Sequence, residues 1–454
     1  MPTIPVIAIF DIGKTNKKLF LFDEEYNVVF EKSVRLKETV DGDGESAEDV
    51  DALKKFVLDS LREINSNDSF AVRAVNVSAY GASFVLIDNN GDAIAPVYNY
   101  LKSYPTTLAD AFYNKYGGNE KFSQETASPV LGSLNSGLQL YRLKEEQPAT
   151  FARVHYALHL PQYLSSIITG EYYSEITSIG CHTALWDFTR QFYHQWTIDE
   201  RIVDKLPPIV ASTTTINKVF EGTELVCGIG LHDSSAALIP YLASFHQPFI
   251  LISTGTWCIS LNPFNRLPLT TSELNQDCLC YKSYHGVPVK ASRLFAGNMH
   301  EQVVSRLCTH FNKPMDYYKQ LSFDEHLVDV ANNKLDFSVT TLDLNKFRSF
   351  EEGYYQLLHY LILEQHRSTK LVMQGPAVKT IFVDGGFSQN SIYMHLLAKV
   401  FSDCEVYAAS MPQASALGAA LAIHGSWNKR PLPLNLIRLN HYTGRLVTNR
   451  NNFI

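Results

Sequence analysis

An apolar strand, a tight polar turn and a second apolar strand run together in Ala8-Ile9-Phe10-Asp11-Ile12-Gly13-Lys14-Thr15-Asn16-Lys17-Lys18-Leu19-Phe20-Leu21-Phe22-Asp23. Gly13 lets the backbone approach an anion closely, Thr15 and Asn16 offer donors, Lys17 adds charge, and Asp11 is placed to hold a cation beside a phosphate. The same residues also serve an ordinary hairpin turn, so this segment alone does not decide between the two. The pattern returns in Phe249-Ile250-Leu251-Ile252-Ser253-Thr254-Gly255-Thr256-Trp257-Cys258-Ile259-Ser260-Leu261, again a strand, a glycine flanked by hydroxyls and a strand. With Gly13 laid on Gly255, Asp11 falls on Ser253 and Thr15 on Trp257, so pattern rather than identity is repeated. Two such hairpins can clamp one phosphate chain from opposite sides.

A third segment, Thr380-Ile381-Phe382-Val383-Asp384-Gly385-Gly386-Phe387-Ser388-Gln389-Asn390, runs an apolar strand into a Gly-Gly turn that opens a helix at Ser391. Helix starts and glycine turns accept anions and flat rings. Asp11-x-Gly13-x-Thr15-Asn16-x-Lys18, Ser253-Thr254-Gly255-Thr256-Trp257 and Asp384-Gly385-Gly386-Phe387-Ser388-Gln389-Asn390 resemble the first phosphate, second phosphate and adenosine motifs of the FGGY carbohydrate kinases. Between them, Gly230-Leu231-His232-Asp233-Ser234-Ser235-Ala236-Ala237 is similar to the family's catalytic Asp at a helix start, in the His-Asp form of the rhamnulokinases. The resemblance runs from about residue 5 to about residue 425 and takes in Leu160-Pro161-x-Tyr163-Leu164 and Thr169-Gly170-Glu171. Four motifs in the family's order are more specific than any single glycine pattern. The resemblance implies an α/β chain of two actin-like (ribonuclease H-like) ATPase domains with a catalytic cleft between them. Residues 1–244 would carry the sugar site and catalytic Asp, and residues 245–454 the nucleotide site.

A length of 454 residues exceeds one typical domain and suits two of about 200 to 250 residues each. The net charge of −7, with scattered signs, argues against a nucleic-acid surface, so an anionic cosubstrate must be captured locally. No stretch approaches about 18 uninterrupted apolar residues, and Met1-Pro2-Thr3-Ile4-Pro5 has neither a basic region nor a long apolar run. A cytoplasmic protein with no membrane partner is therefore expected, and a homodimer is admitted but not required. The seven cysteines are dispersed, with only Cys278-Leu279-Cys280 closely spaced, which favours reduced structural thiols over a disulfide or metal site.

Strands and helices alternate in blocks. Val28 to Leu36 reads as a third strand, Ser46-Ala47-Glu48-Asp49 resembles a capping box ahead of a helix to about Ile64, and Val72 to Ala79 returns to strand. Ser83 to Asp88 follows, with the turn Asn89-Asn90-Gly91. Strand, strand, strand, helix, strand is the order expected of an actin-like half. From about 105 to 225 the chain reads as mostly helical and aromatic, with one polar loop at Ser212-Thr213-Thr214-Thr215. This stretch looks like an insertion that builds a sugar pocket. The second half repeats the plan, with a hairpin at 249 to 262, a helix near Glu351 to Met373, a strand at 380 to 384 and helices at 391 to 401 and 415 to 424. Small residues fill the last helix. A hinge is expected between about Tyr241 and Gln247, before Pro248.

Phosphoryl transfer to a hydroxyl asks a protein for alignment, charge neutralisation and a proton acceptor. The resemblance assigns Asp233 as the acceptor; a helix start favours its ionised form, and N-cap is the competing use. Asp11 is assigned to Mg²⁺, through waters. Gly13, Lys14, Thr15, Asn16 and Lys17 would grip the terminal phosphates of ATP from one side, with Thr254, Gly255 and Thr256 on the other. Gly385, Gly386 and Asn390 would border the adenosine, with a helix cap as the alternative for Asn390. Tyr80 and Gly81 inherit the edge of the substrate pocket, and His232 reaches towards a sugar hydroxyl; core packing and a structural hydrogen bond are their alternatives.

Some positions depart from the family pattern: Tyr80 stands where rhamnulokinases carry Trp, Lys14 where a smaller residue is usual, and Asn99-Tyr100-Leu101-Lys102 where many members place an acidic and a basic residue near the sugar. The resulting expectation is an ATP-dependent ketose kinase acting on O1 of a deoxyketohexose such as L-rhamnulose or L-fuculose, with a pentulose (xylulose or ribulose) next. A non-kinase actin-like ATPase with a regulatory or filament role is the rival. A glycoside hydrolase would leave the phosphate hairpins unused and Asp233 without a facing carboxylate.

Overall fold

The computed structural model describes residues 3–332, 342–411 and 413–443. Ile4–Ile12 (β1) and Lys17–Asp23 (β2) form the first hairpin, with Ile12 opposite Lys17, and Val28–Val34 (β3) continues the antiparallel meander. Val6 to Phe10 are buried on both faces of β1, which is why that strand reads as a continuous apolar run rather than an alternation. The helix Val50–Asn65 (α1) buries Leu53, Phe56, Val57, Leu61 and Ile64 at helical spacing, and Phe70–Ala79 (β4) then enters parallel to β1. The expected capping box is corrected here. Ser46–Glu48 is a short strand, and the cap is Asp49, whose carboxylate accepts from the Ala52 amide.

Thr215–Phe220 (β5), Thr223–Gly228 (β6) and Leu231–His232 (β7) complete the first sheet, ordered β5-β6-β4-β1-β2-β3 with β7 also paired to β4. The expected helical stretch is thus corrected at its end, where exposed Asn217 and Lys218 give β5 a polar, loop-like sequence. The rest of it folds as an insertion around Phe112, whose ring lies 5.2 Å from Phe122, 4.9 Å from Tyr141 and 5.1 Å from Trp196. Two short helices, Asp233–Ala236 (α2) and Ile239–Ser244 (α3), lead out of the first sheet. The expected hinge falls on the end of α3 and the short link before the next strand.

The second half opens with the antiparallel hairpin Phe249–Thr254 (β8) and Cys258–Asn262 (β9). Cys278–Lys282 (β10), Pro288–Leu294 (β11) and the helix Ala296–Phe311 (α4) follow. Then come Phe350–Val372 (α5), Thr380–Gly385 (β12), Ser391–Val400 (α6), Glu405–Ser410 (β13), Ala414–Ala422 (α7) and Arg438–Tyr442 (β14). The second sheet is ordered β10-β11-β9-β8-β12-β13-β14. Its run β11-β9-β8-β12-β13 matches β3-β2-β1-β4-β6 of the first in order and in strand sense. The two halves are therefore copies of one plan.

Helix α7 ties the copies together. Its small face, with Ala416, Ala419 and Ala420, is buried against Ile7, Ile9, Ala74 and Ala236 of the first half. A Cβ at Gly418 would run into the carbonyl of Ala236, so only glycine lets these backbones meet. Asn76, buried in β4, donates to the Ala419 carbonyl at 2.8 Å and accepts from the Gly230 amide at 3.1 Å. One side chain thereby joins the last helix to the loop that precedes Asp233. All seven cysteines are free, and burial pushes Cys278 and Cys280 up to about 12. No helix among the described residues is long and apolar enough to cross a membrane.

Candidate active site

The central parallel strand pairs end in a carboxylate facing a serine. Asp11 of β1 is opposite Ser78 of β4, and in the second sheet the roles exchange, with Ser253 of β8 opposite Asp384 of β12. Leu231 of β7 pairs with Ser78 on the other side, so Asp11 and the start of α2 flank β4 at its carboxyl end. Strands spaced by about 4.8 Å put these two backbones on the order of 10 Å apart. Asp11 accepts from the Ser415 hydroxyl of α7 at 3.0 Å, so both halves meet at this carboxylate. Burial, and next the charge of Asp233, raise Asp11 to about 6. Burial likewise raises Asp384 to about 6; the Tyr241 hydroxyl donates to it at 3.4 Å.

Asp233 is the first residue of α2, and the N-cap position belongs to His232, which makes no side-chain capping bond. The Asp233 carboxylate accepts from the amide and hydroxyl of Ser234, keeps a third of its surface (33%) open, and is raised to about 6 by burial. The capping alternative for Asp233 is therefore not the geometry seen. His232 Nε2 lies 3.4 Å from Asp233 Oδ1, and burial lowers its pKa to about 4, so the ring is neutral near pH 7. Its backbone amide donates to Thr177 Oγ1 at 3.0 Å. A Cβ at Gly81 would come within 2.8 Å of the His232 ring, which explains the glycine at that position. Gly81, His232 and Asp233 are thus brought together.

Other sequence-predicted residues are committed elsewhere. Lys17 is not at a phosphate turn: it is 1% exposed and ion-paired with buried Glu48 at 2.6 Å, and also donates to the Lys14 carbonyl at 2.9 Å. Tyr80 donates its hydroxyl to the same carboxylate at 2.6 Å, so its ring forms a wall while its polar tip is occupied. Lys14 pairs with Glu38 at 2.7 Å, and Asn16 accepts from Arg35. Gly13 donates its amide to Asn16 within the turn, leaving Thr15 exposed at the tip.

In the second half, Thr254 is buried rather than open: its hydroxyl donates to the Asp384 carbonyl and accepts from the Phe387 amide. Gly255, Thr256, Gly385 and Gly386 are exposed. Gly385 has φ +80°, and a Cβ there would strike the Thr254 carbonyl. The hydroxyl of Thr254 thus fastens the second hairpin to the glycine turn. Asn390 is the N-cap of α6, accepting from Tyr393 and donating to the Tyr354 hydroxyl at 2.7 Å, so the capping alternative describes it.

Sequence reasoning missed Glu48, Ser415, Tyr100 and Tyr281. Tyr100 packs 6.0 Å from Tyr80 and, like Tyr281, feels the charge of Asp233. Only Tyr100 had a signal, since it lies in the segment that departs from the family pattern. Among the described residues no group of three or more His, Cys, Asp or Glu side chains could hold a metal ion. One or two carboxylates completed by phosphate oxygens and water is the manner in which Mg²⁺ is held, so the Asp11 carboxylate, partly open at the end of β1, fits that ion.

Residues 6–239 match the FGGY family of carbohydrate kinases, N-terminal domain, and residues 340–424 its C-terminal domain. The chain belongs to this family. It is a carbohydrate kinase, a phosphotransferase with an alcohol acceptor, which sets aside the non-kinase reading. Similar solved structures carry the same fold over nearly the whole chain. A carbohydrate kinase from Novosphingobium aromaticivorans is 22% identical with a TM-score of 0.80, over 97% of this chain and 95% of that one. A xylulose kinase from Rhodospirillum rubrum is 15% identical with a TM-score of 0.79, over 97% and 94%. A glycerol kinase from Plasmodium falciparum with ADP is 14% identical with a TM-score of 0.70, over 93% and 90%.

Proposed function

We propose that this chain uses ATP to phosphorylate O1 of a deoxyketohexose such as L-rhamnulose or L-fuculose, in a cleft between residues 1–244 and 245–454, in the cytoplasm. The observation that carries the reading is Asp233: a partly open carboxylate at the first turn of a helix, not spent on capping, with the neutral His232 ring beside it. Asp233 accepts the proton of the sugar hydroxyl as that oxygen bonds to the γ-phosphorus and the bond to the ADP oxygen breaks. His232 orients the hydroxyl, and Gly81 leaves room for that ring. The exposed turns at Thr15 and at Gly255-Thr256 hold the phosphates in line, and Gly385-Gly386 offers a flat seat for the adenosine. Asp11 would hold Mg²⁺, which when bound neutralises phosphate charge.

A pentulose is the second reading, favoured by the similarity to a xylulose kinase. The test is a panel of ketohexoses, deoxyketohexoses and pentuloses assayed for coupled ADP release. Turnover highest on a deoxyketohexose supports the reading, and turnover highest on xylulose or ribulose replaces it with the second.

A further inference from the structure

Glu175 is a buried carboxylate, and one bridging hydroxyl ties it to the backbone that carries Asp233. Both Glu175 and Thr177 are 0% exposed. Glu175 caps the short helix Ile176–Ile179, accepting from the amides of Thr177 at 2.9 Å and Ser178 at 3.2 Å. It also accepts from the Thr177 hydroxyl at 2.5 Å and from the hydroxyl of buried Ser212. Four donors thus converge on its two oxygens. Ser212 lies in the polar loop after Ile209–Val210, the short strand that pairs with Ser174–Glu175, so this pairing brings the loop to the carboxylate.

On its other side Thr177 meets the chain just ahead of Asp233. The His232 amide donates to Thr177 Oγ1 at 3.0 Å, while Leu231 and His232 pair with Ser78 and Ala79 of β4. The segment from Glu175 runs on to Cys181, whose sulfur lies 3.6 Å from where a Cβ would stand at Gly81, so it backs Gly81 and His232 together. A threonine hydroxyl has one proton to give. Glu175 takes that proton, which leaves a lone pair for the His232 amide. The helix α2 cannot fix its own start, because it spans only Asp233–Ala236 and a single turn is unfavourable unless held from outside. Without the Thr177 oxygen the amide of buried His232 loses its partner, a costly state that a shift of the first turn of α2 would relieve. Such a shift carries Asp233 with it.

Resting on the reading of Asp233 as the base, we propose that Glu175 and Thr177 are positioning residues for the transfer. The carboxylate sets the direction of the Thr177 hydroxyl, and that hydroxyl holds His232 and Asp233 where the sugar hydroxyl needs them. The test uses the full chain with Thr177→Val, which keeps the shape and loses the hydroxyl, and Thr177→Ser, which keeps the hydroxyl. Thr177→Val should lower kcat on the preferred ketose about tenfold or more while the KM for ATP stays within about twofold of the parent, and Thr177→Ser should keep most of the activity. In a chain that already carries Asp233→Asn there is no base left to position, so adding Thr177→Val should cost less than about threefold. A folded Thr177→Val that falls short of the tenfold loss overturns the inference, as does an equal loss in Thr177→Ser. So does a loss that repeats in full beside Asp233→Asn, which is what a merely structural role would give. If Thr177→Val does not fold, Glu175→Gln makes the comparison with the parent and beside Asp233→Asn, since its NH₂ must face two donors whichever way the amide turns. Failure of both variants to fold assigns the pair to stability and overturns the inference. Near-parent turnover by Asp233→Asn alone overturns the reading of Asp233 and this inference with it, whereas an unchanged Thr177→Val beside an inactive Asp233→Asn overturns this inference only.

Discussion

Asp233 carries most of the chemistry, and Asn is the replacement that isolates it. Asn fills the same space but cannot accept the sugar proton, so Asp233→Asn should lose about 10² to 10⁴ in kcat while ATP affinity persists. Phosphorylation within a few fold of the parent would remove Asp233 as the base. The raised pKa gives two further expectations of defined sign. Turnover should decline as pH falls through about 6, because protonated Asp233 is no acceptor, with His232 already neutral there. For stability, a folded pKa above the ordinary 3.8 means that burial favours the protonated form; that contribution is full below 3.8 and lost as pH rises through about 6. Asp233→Asn cannot ionise, so its unfolding temperature should gain on the parent as pH rises from about 4 to about 6 and hold that gain above; no gain would show that burial does not penalise the charge. The turn around Asp11 was legible from residue types, whereas Gly81, His232 and Asp233 were reached through the family resemblance, and the structure brings these last three together. Lys17, Thr254 and Asn390 have protein partners that the sequence did not reveal, for a common reason: sequence shows that a polar group is present but not whether a buried neighbour has already taken it.

At the scale of elements, both hairpins and the strand before Gly385 were legible because their apolar runs are bounded by glycine. Strands β10 and β11 and helix α4 were not. Lys282 and Lys290 interrupt the two strands as if they were surface positions, yet each is only 1% exposed. Lys290 is ion-paired with Glu273 at 2.6 Å. Lys282 is boxed by Trp186 and Phe188, with its ammonium 5.7 and 5.3 Å from their ring centres. Buried lysines satisfied by distant partners erase the pattern from which strands are read. Turn geometry makes a firmer prediction. Gly385→Ala must hold a Cβ at φ +80° against the Thr254 carbonyl, so it should cost more than about 1 kcal/mol in thermal unfolding. Because Thr254 joins the second hairpin to this turn, the variant should also weaken ATP binding more than ketose binding. Equal loss of both affinities would detach the Gly385-Gly386 turn from the nucleotide.

For the whole molecule, the duplicated plan explains why one site needs both halves. Each sheet brings only one of the paired carboxylates to its central strands, Asp11 in the first and Asp384 in the second. Contacts that cross between the halves include Ser415 to Asp11, Ser235 to the Lys282 carbonyl at 2.9 Å, and Lys282 against Trp186 and Phe188, with others at Arg430 on Glu25 and Thr271 on Glu120. Alignment of sugar and ATP is worth the most when both are held and water is excluded, so binding should favour the arrangement in which the two halves approach. The link between α3 and β8 is where such movement has a backbone free to turn, although α7 seated on the first sheet confines it to a small rotation. Small-angle scattering should therefore show a smaller radius of gyration when a proven ketose and a non-hydrolysable ATP analogue are both present than with either alone. Replacing Gly418 by Val, which would drive the α7 backbone off the Ala236 carbonyl, should loosen the unliganded form and enlarge that contraction. Equal dimensions with and without both ligands, in a preparation that turns the sugar over, would mean that the cleft is already closed and that the hinge plays no part in catalysis.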